Sequence, residues 1–251
     1  MQPQAYVLGQ LIVIILTLGV LSLITYGLGH VLDRFRLLAG RATLFRRLVL
    51  LALVIWLVLL GVLSWRGFFA QFDWTPPSIV LVFVPPLFLI IALMTSRVFR
   101  LMLRFTPMAW LVYAQSFRLL LDLFLYLGYR GDYVPIQMTF AWLNYDIIVG
   151  ATAPMAGYIF FAQGRYHRLE AIWWNLFGVL LLLNSLWVGF FSLPTGYQVF
   201  RTVPDTSFAA DFPFIWIPGF LVPFALALHI FSLFQLFRRK GGRRRTFSLR
   251  K

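Results

Sequence analysis

The chain has 251 residues, 61% of them hydrophobic and only 12% charged, with no cysteine and a formal net charge of +14. A soluble globular domain carries about 25% charged residues, so this chain cannot cover a water-facing surface, and its solvent must be largely lipid. The missing cysteine excludes disulfides, thiolate chemistry and cysteine-based metal sites.

The opening stretch MQPQAYVLGQ has no basic segment. The apolar run after it is too long for a cleaved signal peptide and reads as a retained helix. A helix that crosses a bilayer needs about 20 mostly apolar residues. Seven runs qualify, over roughly residues 6–32, 44–65, 77–95, 107–127, 135–161, 171–193 and 217–237. Backbone amides in hydrocarbon need internal partners, so these runs are helices. The predicted fold is all-α: a polytopic, seven-helix transmembrane domain over residues 1–237, followed by a basic tail over 238–251.

The connections between runs alternate in charge. Eighteen of the 22 basic residues follow the first, third, fifth and seventh runs. They include Arg34, Arg36, Arg41, Arg46 and Arg47, then Arg97, Arg100 and Arg104, then Arg165 and Arg168, then the tail. The opposite connections set Arg66, Arg130 and Arg201 against Asp73, Asp132, Asp205 and Asp211. Lys and Arg concentrate on the cytoplasmic side, which puts the N-terminus outside and the C-terminus in the cytoplasm. The positive charge is therefore mostly topology. The tail RRKGGRRRTFSLRK also suits anionic lipid headgroups, at about 1 kcal/mol per basic residue near the surface. No module with base-stacking aromatics accompanies it, so nucleic acid is not an expected partner.

Two connections stand out. Residues 34–47 interleave Phe35, Leu37, Leu38, Leu44 and Phe45 with five arginines, the pattern of a short helix lying on the inner leaflet. Residues 192–219 form the longest outer segment, rich in Phe, Tyr, Trp and Pro. It either lies at the headgroups as an aromatic belt or folds over the mouth of the bundle.

The fourth run carries the polar residues that need explaining. Gln115, Arg118, Asp122, Tyr126 and Tyr129 are spaced to share one helical face, while the rest of that helix is apolar. Arg118 lies near mid-membrane and has Asp122 at i+4. The short turn GYRGDY then folds the fifth run back, and counting from Gly131 places Asn144 and Asp146 at the depth of Arg118. Asn184 on the sixth run and His229 on the seventh sit near the centres of their runs, with Ser232 and Gln235 extending the face of His229. Pro85, Pro86, Pro218 and Pro223 should free carbonyls that can line a cavity. Gly150, Ala153, Ala156 and Gly157 allow close helix packing. An ionisable residue at mid-membrane costs from about 3 to more than 10 kcal/mol, which points to a binding site, a proton relay or an ion path. The competing expectations are a salt bridge that only fixes helix register and, for His229, Asn144 and Asn184, hydrogen-bonded packing.

Several seven-helix chemistries are excluded. Retinal needs a lysine in the seventh helix, and the two lysines, Lys240 and Lys251, both lie in the tail. Receptor-type acidic-Arg-Tyr and Asn-Pro-x-x-Tyr signatures are absent. His30 and His167 lie near the inner surface, leaving His229 without a partner for haem or zinc. No phosphate loop or nucleophile elbow occurs, so neither a catalytic residue nor a cofactor is predicted.

The run QSFRLLLDLFLYLGY, with VPIQMTFAWLNYDIIVGATAP and FPFIWIPGFLVPFALALH, resembles segments of uncharacterised multi-pass proteins of bacteria. The resemblance implies a bacterial inner membrane and no particular activity. The leading expectation is a protein that handles a small solute or proton, with Gln115, Arg118, Asp122, Asn144, Asp146, Asn184 and His229 around a polar cavity. Arg118 would bind an anionic group or neutralise the acids. The alternatives are a membrane sensor whose outer loop closes over a ligand and a structural subunit with a membrane-protein partner. An intramembrane enzyme ranks last.

Overall fold

The computed structural model of the chain describes residues 2–34, 40–161 and 166–238. Among these residues the secondary structure is helix and turn, with no strand. In chain order the α-helices are α1 (Pro3–Arg34), α2 (Ala42–Trp65), α3 (Val84–Thr95), α4 (Arg97–Met102), α5 (Met108–Tyr113), α6 (Phe117–Arg130), α7 (Ile147–Phe161), α8 (Arg168–Phe191) and α9 (Val222–Arg238). A 3-10 turn over Ala114–Ser116 joins α5 to α6, and a 3-10 segment over Ser78–Phe83 leads into α3. Six stretches are long and apolar enough to cross a membrane: α1, α2, Ser78–Thr95, Met108–Arg130, α8 and Ile217–Arg238. Their outward faces are apolar; α2 exposes Leu48, Leu51, Val54, Ile55, Val58 and Val62, as lipid rather than water would require.

The fifth predicted run departs from expectation. Only α7, 15 residues long, is α-helical there, and it is too short to join the spans. Residues 135–146 instead make a 3-10 turn over Ile136–Met138 and a series of turns. The sequence contains the reason. Thr139 Oγ1 bonds the Ile136 carbonyl (2.7 Å), and Asn144 Oδ1 accepts from the Asp146 backbone N–H (3.2 Å). Such local side-chain bonds compete with the helical ladder. Carbonyls released here find side chains: Met138 is bonded by Asn144 (3.0 Å) and Leu143 by Asn184 (2.6 Å). Non-helical backbone inside an apolar helical bundle is tolerable when protein satisfies it in this way.

Prolines set the other irregularities. Pro85 and Pro86 fall in the first turn of α3, where a missing N–H costs nothing, so they start that helix rather than break it. Before α9 the chain takes one π turn over Ile217–Leu221. Pro223 has no N–H to offer the Gly219 carbonyl four residues back. The indole Nε1 of Trp56 donates to that carbonyl instead (2.9 Å), tying α2 to the π turn before α9. Trp56→Phe keeps an aromatic ring but orphans the carbonyl. It should lower stability by about 1–3 kcal/mol, the usual cost of an unsatisfied buried acceptor. Thermal melting in detergent checks this, with Trp65→Phe, at an exposed ring, as the neutral control.

Contacts sort the helix ends into two groups. At one end the Gln2 N–H donates to the Gly131 carbonyl (3.0 Å), Tyr6 to Asp211 (2.9 Å) and Ser64 to the Ala210 carbonyl (2.6 Å). Residues 192–216 lie here, and we call it the loop end. Phe214 is fully buried among Tyr6, Phe124, Tyr133 and Phe208, with ring centroids 5.2 to 5.9 Å away. The long segment therefore plugs into the bundle as well as skirting it. At the other end Arg168 Nε donates to the Leu236 carbonyl (2.8 Å) and Gln235 Nε2 to that of Thr106 (3.0 Å). Arg41, Arg46, Arg47, Arg97, Arg100, Arg104 and Arg238 occupy this basic end. Leu44 to Arg47, expected in an interfacial helix, form the first turns of α2; residues 35–39 and the tail from 239 onward lie outside the described residues.

Candidate functional site

Helix α6 presents the polar face its spacing predicts. Arg118 and Asp122 are buried, 1% and 2% exposed, while Leu120, Leu123 and Leu127 point outward. Gly150 on α7 lets the two helix backbones nearly touch: a Cβ there would lie 2.8 Å from the Leu119 Cα and 2.9 Å from the Arg118 carbonyl carbon. That approach, with the turn structure of residues 135–146, brings Asp146 at the head of α7 against the guanidinium. Arg118 Nε donates to Asp146 Oδ2 (2.7 Å) and Nη2 donates to Oδ1, a bidentate pair.

The third guanidinium nitrogen, Nη1, donates to Nε2 of His229 (2.8 Å) on α9. A guanidinium has no acceptor, so Nε2 must accept and the imidazole proton sits on Nδ1. Nδ1 then donates to Asn175 Oδ1 on α8 (3.0 Å). Gly178 makes room for the ring, since a Cβ there would come within 2.6 Å of Nε2. The cluster thus runs Asp146–Arg118–His229–Asn175, from the residue before α7 across α6, α9 and α8, with each polar group engaged.

Asp122 differs from the rest. Its Oδ1 accepts from Asn144 Nδ2 (2.9 Å), but Oδ2 has no partner. Asn144 is saturated: it donates also to the Met138 carbonyl, and its oxygen accepts from the Asp146 N–H and from Ser185 Oγ. Asp122 lines a cavity of about 130 Å³. The cavity reaches from Thr206, Phe208 and Ala209 at the loop end down to Arg118, Asp122 and Asp146. Phe83, Leu121, Leu125, Leu182, Phe190 and Leu221 make its wall apolar.

The predicted residues separate into two groups. Arg118, Asp122, Asn144, Asp146 and His229 come together. Gln115 and Asn184 do not join them: Gln115 Nε2 bonds the Ala225 carbonyl (3.0 Å), and Asn184 bonds the turn before α7. Asn175, Gly178 and Ser185 also belong to the site and lie outside the expected set. With Leu182 they repeat at intervals of three and four along α8, so the periodicity that singled out α6 would have found them.

A family model described as a domain of unknown function (DUF8737) matches residues 75–237. The chain belongs to that family. No curated protein and no solved structure matches the chain. The DUF8737 region begins just before the third membrane-length stretch and ends in the last turn of α9. It contains the whole Arg118 cluster and every residue of the cavity, while α1 and α2 lie outside it.

Proposed function

We propose that this is a multi-pass membrane protein that handles a small solute or proton at Asp122, in a cavity entered from the loop end. In this reading the loop end and the N-terminus are outside and the basic end is cytoplasmic, following the placement of arginine. A seventh crossing is supported by the path between Arg130 at the loop end and Arg168 at the basic end: the turns over residues 135–146 take one half and α7 the other. The bacterial inner membrane is the setting that the sequence resemblance implies, and the basic tail would meet anionic lipid there.

One observation carries the reading. A carboxyl oxygen without a partner stands within the Met108–Arg130 stretch, on the floor of a cavity that starts among loop-end residues. Intramembrane ionisable groups in such places mark solute and proton paths. Arg118 is the weaker candidate for contact with a solute, because Asp146 and His229 occupy all its nitrogens. Its role here is to hold the cluster together and offset its negative charge.

The absence of cysteine makes a direct test simple. Single cysteines at Ala209, on the cavity rim, and at Leu125, on its wall, should react in intact cells with a membrane-impermeant methanethiosulfonate cation. A cysteine at Leu228, buried in the core away from the cavity, should not. Silence at position 125 with reaction at 209 would mean a sealed layer, and the salt bridge would then only fix helix register. A sensing role has one observation in its favour: Thr206, Phe208 and Ala209 of the long segment form part of the cavity wall, so an occupant would touch that segment directly.

A further inference from the structure

The cavity's chemistry narrows what it can hold, given the reading of it as a solute site. We propose that it takes a small lipophilic amine in its ammonium form, bound to Asp122 Oδ2, and that a proton competes for the same oxygen. Three observations lead there. First, the wall is hydrocarbon and aromatic, so most of the occupant is apolar. Secondly, the polar side chains at the floor are already committed. Each nitrogen of Arg118, both oxygens of Asp146 and both ends of the Asn144 amide have partners, and Thr206 Oγ1 donates to the Gly189 carbonyl (2.8 Å). Among the described residues on the lining, the one unpartnered side-chain oxygen or nitrogen is Asp122 Oδ2, which as a carboxylate only accepts. Its complement is a donor.

Thirdly, the charges do not balance. Arg118 is matched by Asp146, and His229, with its proton on Nδ1, is neutral. The charged or titratable groups facing Asp122 are Arg118 on its own helix, Asp146 at the head of α7 and, through Arg118, His229 on α9. Among the described residues that line the cavity, α8 and the Ser78–Thr95 stretch contribute none. An ionised Asp122 is therefore one negative charge in excess, in surroundings where an unmatched charge is costly. Either a proton or a bound cation removes that excess. Exchange balances: the ammonium enters, the carboxylic acid releases its proton, and the local charge is unchanged.

The volume sets the size. A cavity of about 130 Å³ is close to the roughly 150 Å³ apolar cavity that admits benzene. Benzylamine, benzyl alcohol and benzoate share that skeleton and differ only in the group offered to Asp122. Titration calorimetry on the full chain in detergent, run in two buffers of different ionisation enthalpy, should give benzylamine binding with release of one proton. Apparent affinity should rise with pH while the amine stays protonated, by at most about tenfold per unit for one-for-one exchange. Benzoate should not bind, and benzyl alcohol should bind at least tenfold more weakly. Asp122→Asn should abolish benzylamine binding, as should Leu125→Trp, which fills the cavity and leaves the carboxyl intact. Equal or tighter binding of benzoate or benzyl alcohol, no binding of benzylamine, or benzylamine binding without proton release would each overturn the proposal. Cysteine accessibility separates the two failures. A labelled position 125 with no amine binding removes the ligand class and leaves the cavity reading standing, whereas an unlabelled position removes both.

Discussion

Arg118→Leu is expected to lose more stability than any other single change in the cluster, by about 3–5 kcal/mol, the usual cost of removing one partner from a buried ion pair. Total folding stability is about 5–15 kcal/mol, so much of the protein should fail to purify as a monodisperse species. The size follows from counting charges. The cluster holds one base and two acids, and the base bonds both oxygens of Asp146 and the ring of His229. Without it, two carboxyl groups and an imidazole nitrogen are left together in a buried layer. Asp146→Asn should be milder, since Arg118 keeps His229 and has Asp122 one turn away on its own helix. The double change Arg118→Leu with Asp146→Leu should recover much of the loss, because it removes both charges of the pair rather than stranding one. Thermal midpoints in detergent for these three variants give the order. A midpoint for Arg118→Leu within the error of the parent would mean that the pair is wet and worth no more than a surface salt bridge, at about 0–1 kcal/mol.

The polar stripe on α6 was legible because a charge inside an apolar run has few explanations, and because helical spacing is a local rule. Arg118 and Asp122 declare themselves that way. Counting outward from Gly131 puts Asn144 and Asp146 level with Arg118; Asp146 does meet Arg118, whereas Asn144 meets Asp122 one turn away, and the chain between does not follow the helix the count assumes. Hydropathy sees Pro135 to Phe161 as one apolar run; it does not see that Thr139 and Asn144 offer the backbone other partners. Beyond Arg118 and Asp146, partners are not legible in the sequence. Gln115 sits on the same face as Arg118, yet reaches a carbonyl of α9. Asn184 and Ser185 are adjacent in sequence, and it is Ser185 that faces Asn144. A rotation of 100° per residue decides between them, and that rotation is set by how α8 packs on α7 and α9. The cavity is likewise a product of packing: its wall draws on the Ser78–Thr95 stretch, α6, α8, α9 and the loop-end segment, which no single periodicity relates.

Gly150→Ala tests whether the close approach of α6 and α7 holds the ion pair in register. Most contacts in a helical bundle can absorb one methyl group through a side-chain rotation. Here the added Cβ meets backbone: the Leu119 N, the Leu119 Cα at 2.8 Å and the Arg118 carbonyl carbon at 2.9 Å. Backbone atoms of a helix have no rotamer to change, so the two helices must move apart. Overpacking of this kind costs about 1–3 kcal/mol and occasionally more. The upper part of that range is expected, for a reason specific to this site. Gly150 lies one turn beyond Asp146, and its clash is with the residues that carry the Arg118 side chain. Separation of α6 from α7 therefore lengthens the Asp146–Arg118 bonds along with the helix contact. Gly19→Ala and Gly27→Ala on α1 are the controls, because a Cβ at either position meets nothing within 4 Å. They should be neutral or should stabilise by about 0.5–1 kcal/mol, the ordinary gain of alanine over glycine within a helix. Melting curves for the three variants, with benzylamine titrated into whichever remain folded, separate two outcomes. If Gly150→Ala melts like Gly19→Ala, the helices have slack at this point and the ion pair is positioned by the turns before α7 instead. If it melts far lower, the register of the site depends on that glycine.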